Sequence, residues 1–365
     1  MNIFRRLALT KLLLLCAVIV GVGIGATALA SALDTGPVPP ARPLADAVHQ
    51  ALAGPSVEGA SARITFSNHL LEGASLAGGG DGSGGGGITS SPLVKGASGR
   101  LWIANDGRMR IELQSEQGDS QIFYDGHTLS LYDSSSNTVY RYTPKAEAET
   151  GTHPDTSSHE PPSVAKIEEA LGRLRKHVDV SEASPTDVGG QPAYTVRVSP
   201  KEAGSLIGGA ELSFDADHGF PLRTAIYSSK SSSPVIELAA TEVQYGPVDS
   251  SVFSFTPPSN ATIEQIEPPE HQASSGSTTS PDNHGTLTHH GEGVTSIGVL
   301  ETPTHGASKG EGSLEQLPKV KIGTSTASEL RTELGTVLTF ERSGVRYVVA
   351  GAVEAAQVEA LARSL

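Results

Sequence analysis

The sequence predicts a mainly β protein of the α+β class: a large antiparallel sheet with few helices, then a small α+β unit. Three observations carry this. From Ala60 to Phe255 apolar residues recur mostly with a period of two, the period of a half-buried strand. The strands so defined, about ten or eleven, are short and separated by turn residues at regular spacing, the mark of an all-β sheet or barrel. Helical spacing is confined to Leu44–Ala53, Val164–Val178 and a C-terminal stretch with Val358, Leu361, Ala362 and Leu365.

Composition narrows the function. A chain of 365 residues has room for one large and one smaller domain, at roughly 100–200 residues each. Lys and Arg total 26 against 40 Asp and Glu, a net charge of −14. That argues against nucleic acid as a partner, which needs a basic footprint. Cys16 is the only cysteine, so neither an intramolecular disulfide nor a cysteine-based metal site is available. No cofactor and no metal are expected.

Residues 1–32 read as a signal peptide or a membrane anchor. Arg5, Arg6 and Lys11 precede an uncharged stretch from Leu12 to Ala30, close to the roughly 20 residues that span a bilayer. Ala28-Leu29-Ala30 offers an A-x-A-like cleavage site, as in secretory signals. The stretch is long for a cleaved signal and suits an anchor equally. Basic residues before the span place the remainder outside the cytoplasm. A lipobox at Cys16 meets bulky Leu15 where a small residue belongs, so Cys16 reads as a lipid-facing bystander.

Residues 33–43 form a Pro-rich spacer. Leu44, Val48, Ala51 and Leu52 then mark a short amphipathic helix ended by Gly54-Pro55. Strands follow at Arg63–Phe66 and Arg100–Ala104, interrupted by a glycine-rich loop at 78–87 with no apolar anchor. Asn105-Asp106-Gly107 makes a hairpin turn. In Arg108–Gln114, Met109, Ile111 and Leu113 share one face and the charges take the other, wet face. A meander continues through Gln121–Tyr124, Leu129–Tyr132 and Val139–Tyr142; Pro144–Pro162 is polar. Ser163 is positioned as the N-cap of the 163–178 helix. Strands resume at Tyr194–Val198, Glu211–Phe214, Leu222–Tyr227, Val235–Tyr245 and Val252–Phe255. Ser259 to about His284 is Ser/Thr/Pro/Glu-rich and reads as linker. The expected units are a β domain at 44–268, a linker at 269–284 and a small α+β domain at 285–365. In the last, Val294–Leu300, Val337–Glu341 and Arg346–Val349 are strands. Thr326–Leu334 fits both a capping box and a strand.

Four segments in series carry a family resemblance. They are Ser98–Ile103 with Gly107–Glu112, Tyr124–Asp133, Phe214–Arg223 and Val252–Pro258. Together they resemble the LolA-like superfamily of periplasmic lipoprotein carriers, over about Leu44 to Pro268. The added C-terminal part is similar to the arrangement in RseB-like sigma-factor regulators and in actinobacterial relatives. The resemblance implies an unclosed, curved half-barrel with helices in its concave face and an acyl chain held there. The glycine-rich loop and C-terminal unit are foreign to the carrier itself.

On this reading the groove candidates are Leu101, Ile103, Met109, Ile111, Leu113, Leu129 and Leu131 on the sheet, with Ile167, Leu171 and Leu174 on the lid helix. The same residues also suit an ordinary core. Arg100 and Arg110 suit a lid or headgroup contact, or a solvated face. Gly306–Gly310 formally matches a nucleophile elbow but lies in polar linker, without the strand and helix that motif needs. His284, His289, His290 and His305 lack metal-ligand spacing and read as loop histidines. The expected function is non-enzymatic binding of lipid or lipoprotein acyl chains at the cell envelope. The alternatives are an RseB-like regulator docking on a membrane anti-sigma partner, and an inert structural envelope protein.

Overall fold

The computed structural model describes residues 36–71, 96–116, 118–143, 161–266, 286–304 and 317–365. The N-terminal apolar run, the 78–87 loop, the 269–284 linker, Gly306–Gly310, His284 and His305 lie outside them. So does most of Pro144–Pro162. Among the described residues no helix is long and apolar enough to cross a membrane.

The large sheet is built from β1 (Gly59–Asn68), β2 (Ala97–Ala104), β3 (Met109–Ser115), β4 (Gly118–Tyr124), β5 (Leu129–Asp133) and β6 (Thr138–Tyr142). Its second half is β7 (Val178–Val180), β8 (Ser184–Val188), β9 (Gln191–Pro200), β10 (Ile207–Asp215), β11 (Pro221–Ser228), β12 (Pro234–Tyr245) and β13 (Thr262–Gln265). The order is β13-β6-β5-β4-β3-β2-β1-β12-β11-β10-β9-β7, with β8 also paired to β9. It is antiparallel except where β13 runs parallel to β6. The sheet stays open between β13 and β7 and curls strongly. The β8–β9 hairpin bends over to β12, where Gln191 Nε2 donates to the Val243 carbonyl at 3.4 Å. Its turn, Gly189-Gly190, holds φ of +63° and +78°, the left-handed pair that a two-residue hairpin of this twist requires.

Two helices lie on the concave face. In α1 (Leu44–Ala53) the buried residues Leu44, Ala47 and Ala51 pack on Tyr194 of β9 and Phe214 of β10. Helix α2 (Val164–Leu174) starts where Ser163 Oγ accepts from Lys166 N at 3.4 Å. Its Leu171 joins the same cluster. This is the unclosed, curved antiparallel sheet with helices in its hollow that the family resemblance implies.

Several boundaries differ. The helix expected to reach Val178 ends at Leu174, because Val178 and Val180 alternate as β7 and pair with β9. The spacing from 174 to 178 serves both readings. Val252–Phe255 is not a strand. Asp249 Oδ1 accepts from Ser251 N at 2.8 Å and opens a 3-10 turn over Ser250–Phe253; the Pro257-Pro258 pair that follows lacks N–H donors. This segment covers the convex side of β3–β5, where the Phe255 ring stacks on Phe123 at 4.2 Å. The face of β3 expected to be wet is therefore partly dry. Arg110 Nη1 donates to the Val252 carbonyl at 2.8 Å, and the side chain pairs with Glu112. The start of the expected linker is also structured, as β13.

The second sheet runs β14-β15-β19-β18-β17-β16. Its strands are β14 (Thr286–His290), β15 (Ile297–Pro303), β16 (Lys319–Ile322), β17 (Ser325–Arg331), β18 (Thr336–Arg342) and β19 (Val345–Gly351). Helix α3 (Ala355–Ser364) packs Val358 and Ala362 on Val299, Leu338 and Val349. Of the ambiguous Thr326–Leu334, Thr326–Arg331 is strand, part of β17, because Ala327 and Glu329 alternate inward, and the remainder is the turn before β18. His289 and His290 lie on edge strand β14 rather than in a loop. The two sheets meet where Leu206 N donates to the Ala352 carbonyl at 2.7 Å, and where Leu334 packs on Ile207 and Val235.

Candidate functional site

Strand registers set the concave side chains in rows. The middle row is Val243, Ala62, Leu101, Ile111, Ile122, Leu131 and Tyr140. The row beside it is Tyr245, Ala60, Ile103, Met109, Tyr124, Leu129 and Tyr142. The seven sheet candidates thus share one face, with neighbours about 4.8 Å apart across strands. Ile122, Tyr124, Tyr140 and Tyr142 share it too. The alternation of Gln121–Tyr124 carries that signal, but Phe123 draws attention to the opposite face.

The face is not uniform. Leu101 and Leu113, at 9% and 3% exposure, belong to a closed core with Ala62, Ile64, Phe220, Leu222 and Val243. Ile103, Met109 and Ile111 pack against that core and stay half-buried. Farther out, Ile122, Leu131, Tyr140 and Tyr142 are half-buried and Leu129 is 37% exposed. The helix candidates lie elsewhere. Leu171 packs with the β9–β10 cluster, Ile167 is buried in α2 and Leu174 is half-buried at its end. The ten residues therefore occupy three regions: Leu101 and Leu113 in the closed core, the three helix residues on α2 toward β9 and β10, and Ile103, Met109, Ile111, Leu129 and Leu131 on a more open apolar stripe across β2–β5.

A polar cluster stands at the end of the second row. Asp215, 1% exposed, accepts from the backbone N of Asp217 at 2.9 Å and of His218 at 2.7 Å. Its Oδ2 accepts from Tyr245 Oη at 2.8 Å, and its Oδ1 lies 3.1 Å from His218 Nδ1. Burial, reinforced by the Asp215 carboxylate, pushes the Tyr245 phenol well above its ordinary range. Sequence reading saw only a turn in Asp217-His218-Gly219; the carboxylate two residues earlier was the available signal.

The convex face carries a second unforeseen network. Glu211 takes Arg197 Nη1 at 2.6 Å, Arg223 Nη1 at 2.8 Å and the Tyr227 hydroxyl at 2.5 Å. Burial alone would raise the Glu211 pKa, but the bonds from Tyr227 and Arg223 outweigh it and lower it. Among the described residues no group of three acidic, His or Cys side chains could hold a metal.

Comparison with solved structures finds distant similarities. MucB in complex with MucA(peri) is 15% identical over 87% of this chain and 94% of that one, with a TM-score of 0.38. The MucA/MucB complex of Pseudomonas aeruginosa is 16% identical, with the same 87% and 94% coverage and a TM-score of 0.40. A LolA superfamily protein from Nitrosomonas europaea is 7% identical over 85% and 91%, at 0.20. No protein-family model and no curated protein matches this chain.

Proposed function

We propose that this chain is a non-enzymatic, extracytoplasmic lipid- or lipoprotein-binding protein that holds an acyl chain on the concave face of β3–β6. The observation that supports this most is the half-exposed stripe of Met109, Ile111, Ile122, Leu129 and Leu131, continuous in register with the closed core. Burying fourteen methylenes at about 0.8 kcal/mol each gives roughly 11 kcal/mol before ordering costs. Such a groove works without a catalytic side chain. The signal-like N-terminus supports export, either tethered or released.

The test is native mass spectrometry of the purified chain for retained lipid, together with fluorescent fatty-acid binding. Ile111→Ala and Leu129→Ala are expected to weaken uptake severalfold while melting changes little. Absence of both retained lipid and fatty-acid binding in the wild type would sink the acyl reading.

A second reading is a regulator that docks on a membrane anti-sigma partner. What favours it is the small sheet joined to the large one through Leu206, Ala352 and Leu334, a unit an acyl carrier does not need. In that case, deleting residues 285–365 would abolish partner capture and spare fatty-acid binding.

A further inference from the structure

A pocket of about 200 Å³ opens on the convex face, across β12, β1 and β2, lined by Ser61, Arg63, Arg100, Trp102, Glu242 and Gln244. Strand register explains why a hollow forms there. Ser61 stands between Gln244 on β12 and Trp102 on β2. With strands about 4.8 Å apart, this small side chain sets two long ones roughly 10 Å apart, backbone to backbone. The adjoining row is Glu242, Arg63 and Arg100. The Trp102 wall is buttressed from behind. The Arg110 guanidinium lies 6.0 Å from the centre of the indole ring, and Arg110 is itself pinned to the Val252 carbonyl at 2.8 Å.

Charge in the pocket is uneven. Glu242 takes Arg63 at 3.1 Å and Gln244 Nε2 at 3.2 Å. Arg100 has no such partner among the described residues: its cross-strand neighbours are Arg63 and Glu112, and Glu112 is engaged by Arg110. Its side chain is exposed. A chain of net charge −14 thus presents here one uncompensated guanidinium beside an aromatic wall.

We infer that this pocket binds a flat monocarboxylate, an aromatic acid, with its carboxylate on Arg100 and its ring against Trp102. A guanidinium matches the two oxygens of a carboxylate with parallel N–H···O bonds, and aromatic rings gain from offset or edge contact. Three features choose among anions. Only one positive charge is uncompensated, and the Glu242 carboxylate on the wall repels a second negative charge, which disfavours phosphate. The volume is below the roughly 300–1,000 Å³ of pockets for drug-sized ligands, so the pocket takes one ring rather than a larger body. Its border residues Arg63, Arg110, Glu242 and Gln244 are polar and offer an alkyl chain no apolar path. The site is therefore separate from the acyl stripe on the concave face, and the inference stands without that reading.

Trp102 is the only tryptophan of the chain, so its fluorescence reports on this pocket. The experiment is fluorescence and calorimetric titration of the full chain with benzoate, with benzamide as the neutral isostere and inorganic phosphate as the competing anion. Benzoate is expected to quench Trp102 emission saturably, and benzamide and phosphate to bind at least tenfold more weakly. Arg100→Gln is expected to weaken benzoate at least tenfold at an unchanged melting temperature, because Arg100 is exposed. Ser61→Leu fills the hollow while leaving Arg100 and Trp102 in place, and should abolish binding. Benzamide binding as tightly as benzoate, or benzoate binding that survives Arg100→Gln, would overturn the carboxylate assignment. Phosphate binding more tightly than benzoate would overturn the monocarboxylate class in favour of a general anion site. Neither quenching nor heat with benzoate would overturn the site itself.

Discussion

On β9 and β10 the concave side chains Tyr194, Val196 and Phe214 lie under α1 and α2, whereas on β3–β5 the corresponding Met109, Ile111, Ile122, Leu129 and Leu131 keep contact with solvent. The two regions share one face of one sheet and a similar alternation of apolar residues. What separates them is cover. Residues 44–53 and 164–174 fold back over the β9–β10 end, and the curl of β8–β9 toward β12 deepens that end into a closed core. The difference teaches that a period-two pattern identifies a buried face without saying what buries it.

The largest test of this contrast is Phe214→Ala against Leu129→Ala. Phe214 is expected to cost about 3–5 kcal/mol in urea denaturation, as buried aromatic truncations do. Leu129 should cost no more than about 0.5 kcal/mol, the range of exposed sites. Equal losses would mean that the two regions are one packed core.

A smaller effect is expected from Glu211→Gln on the convex side, about 1–3 kcal/mol near neutral pH, through weakened bonds to Arg223, Arg197 and Tyr227. The folded-state pKa of Glu211 is lowered. Its contribution is therefore present above the ordinary glutamate range and is lost as pH falls through the lower, folded value. Stability of the two proteins should converge on acidification. A gap that persists unchanged at low pH would show that the carboxylate charge is not the stabilising element.

The smallest is Gly189→Ala, at the turn that carries the curl onto β12. Its φ of +63° is left-handed, and a new Cβ would lie 3.1 Å from the Ala240 oxygen. A loss of about 1–2 kcal/mol is expected. It should be accompanied by faster amide exchange in the β8–β9 hairpin and unchanged exchange in β3–β5. Faster exchange across the whole sheet would show that the closed and open regions unfold as one.

Much of the fold was legible because its signals are local. The alternation of Met109, Ile111 and Leu113, the turn at Asn105-Asp106-Gly107, and Ser163 before the α2 periodicity each depend on neighbours within a few residues. The boundaries that shifted were set by distant partners. Val178 left the helix because β9 offered backbone bonds, and Thr262–Gln265 became a strand because β6 had a free edge. Of the candidate site, the shared face of Leu101 through Leu131 was legible, since side chains two apart on a strand point the same way. The polar cluster was not. Tyr245 lies some thirty residues beyond Asp215 and His218, and no spacing along the chain announces that they meet.

By itself, then, the sequence determined the fold class, the strand faces, the presence of the two helices that flank and interrupt the strands, and the charge that argues against nucleic acid, because hydrophobic period, turn chemistry and net charge are local or additive properties. Only the tertiary structure decided which part of the apolar face is core and which is open, that Val252–Phe255 dries the convex side of β3, and that Asp215, His218 and Tyr245 meet. Those outcomes depend on how far the sheet curls and on which segments fold back over it. Curl is the sum of twist and bulges across the strands, a quantity no single stretch of residues encodes.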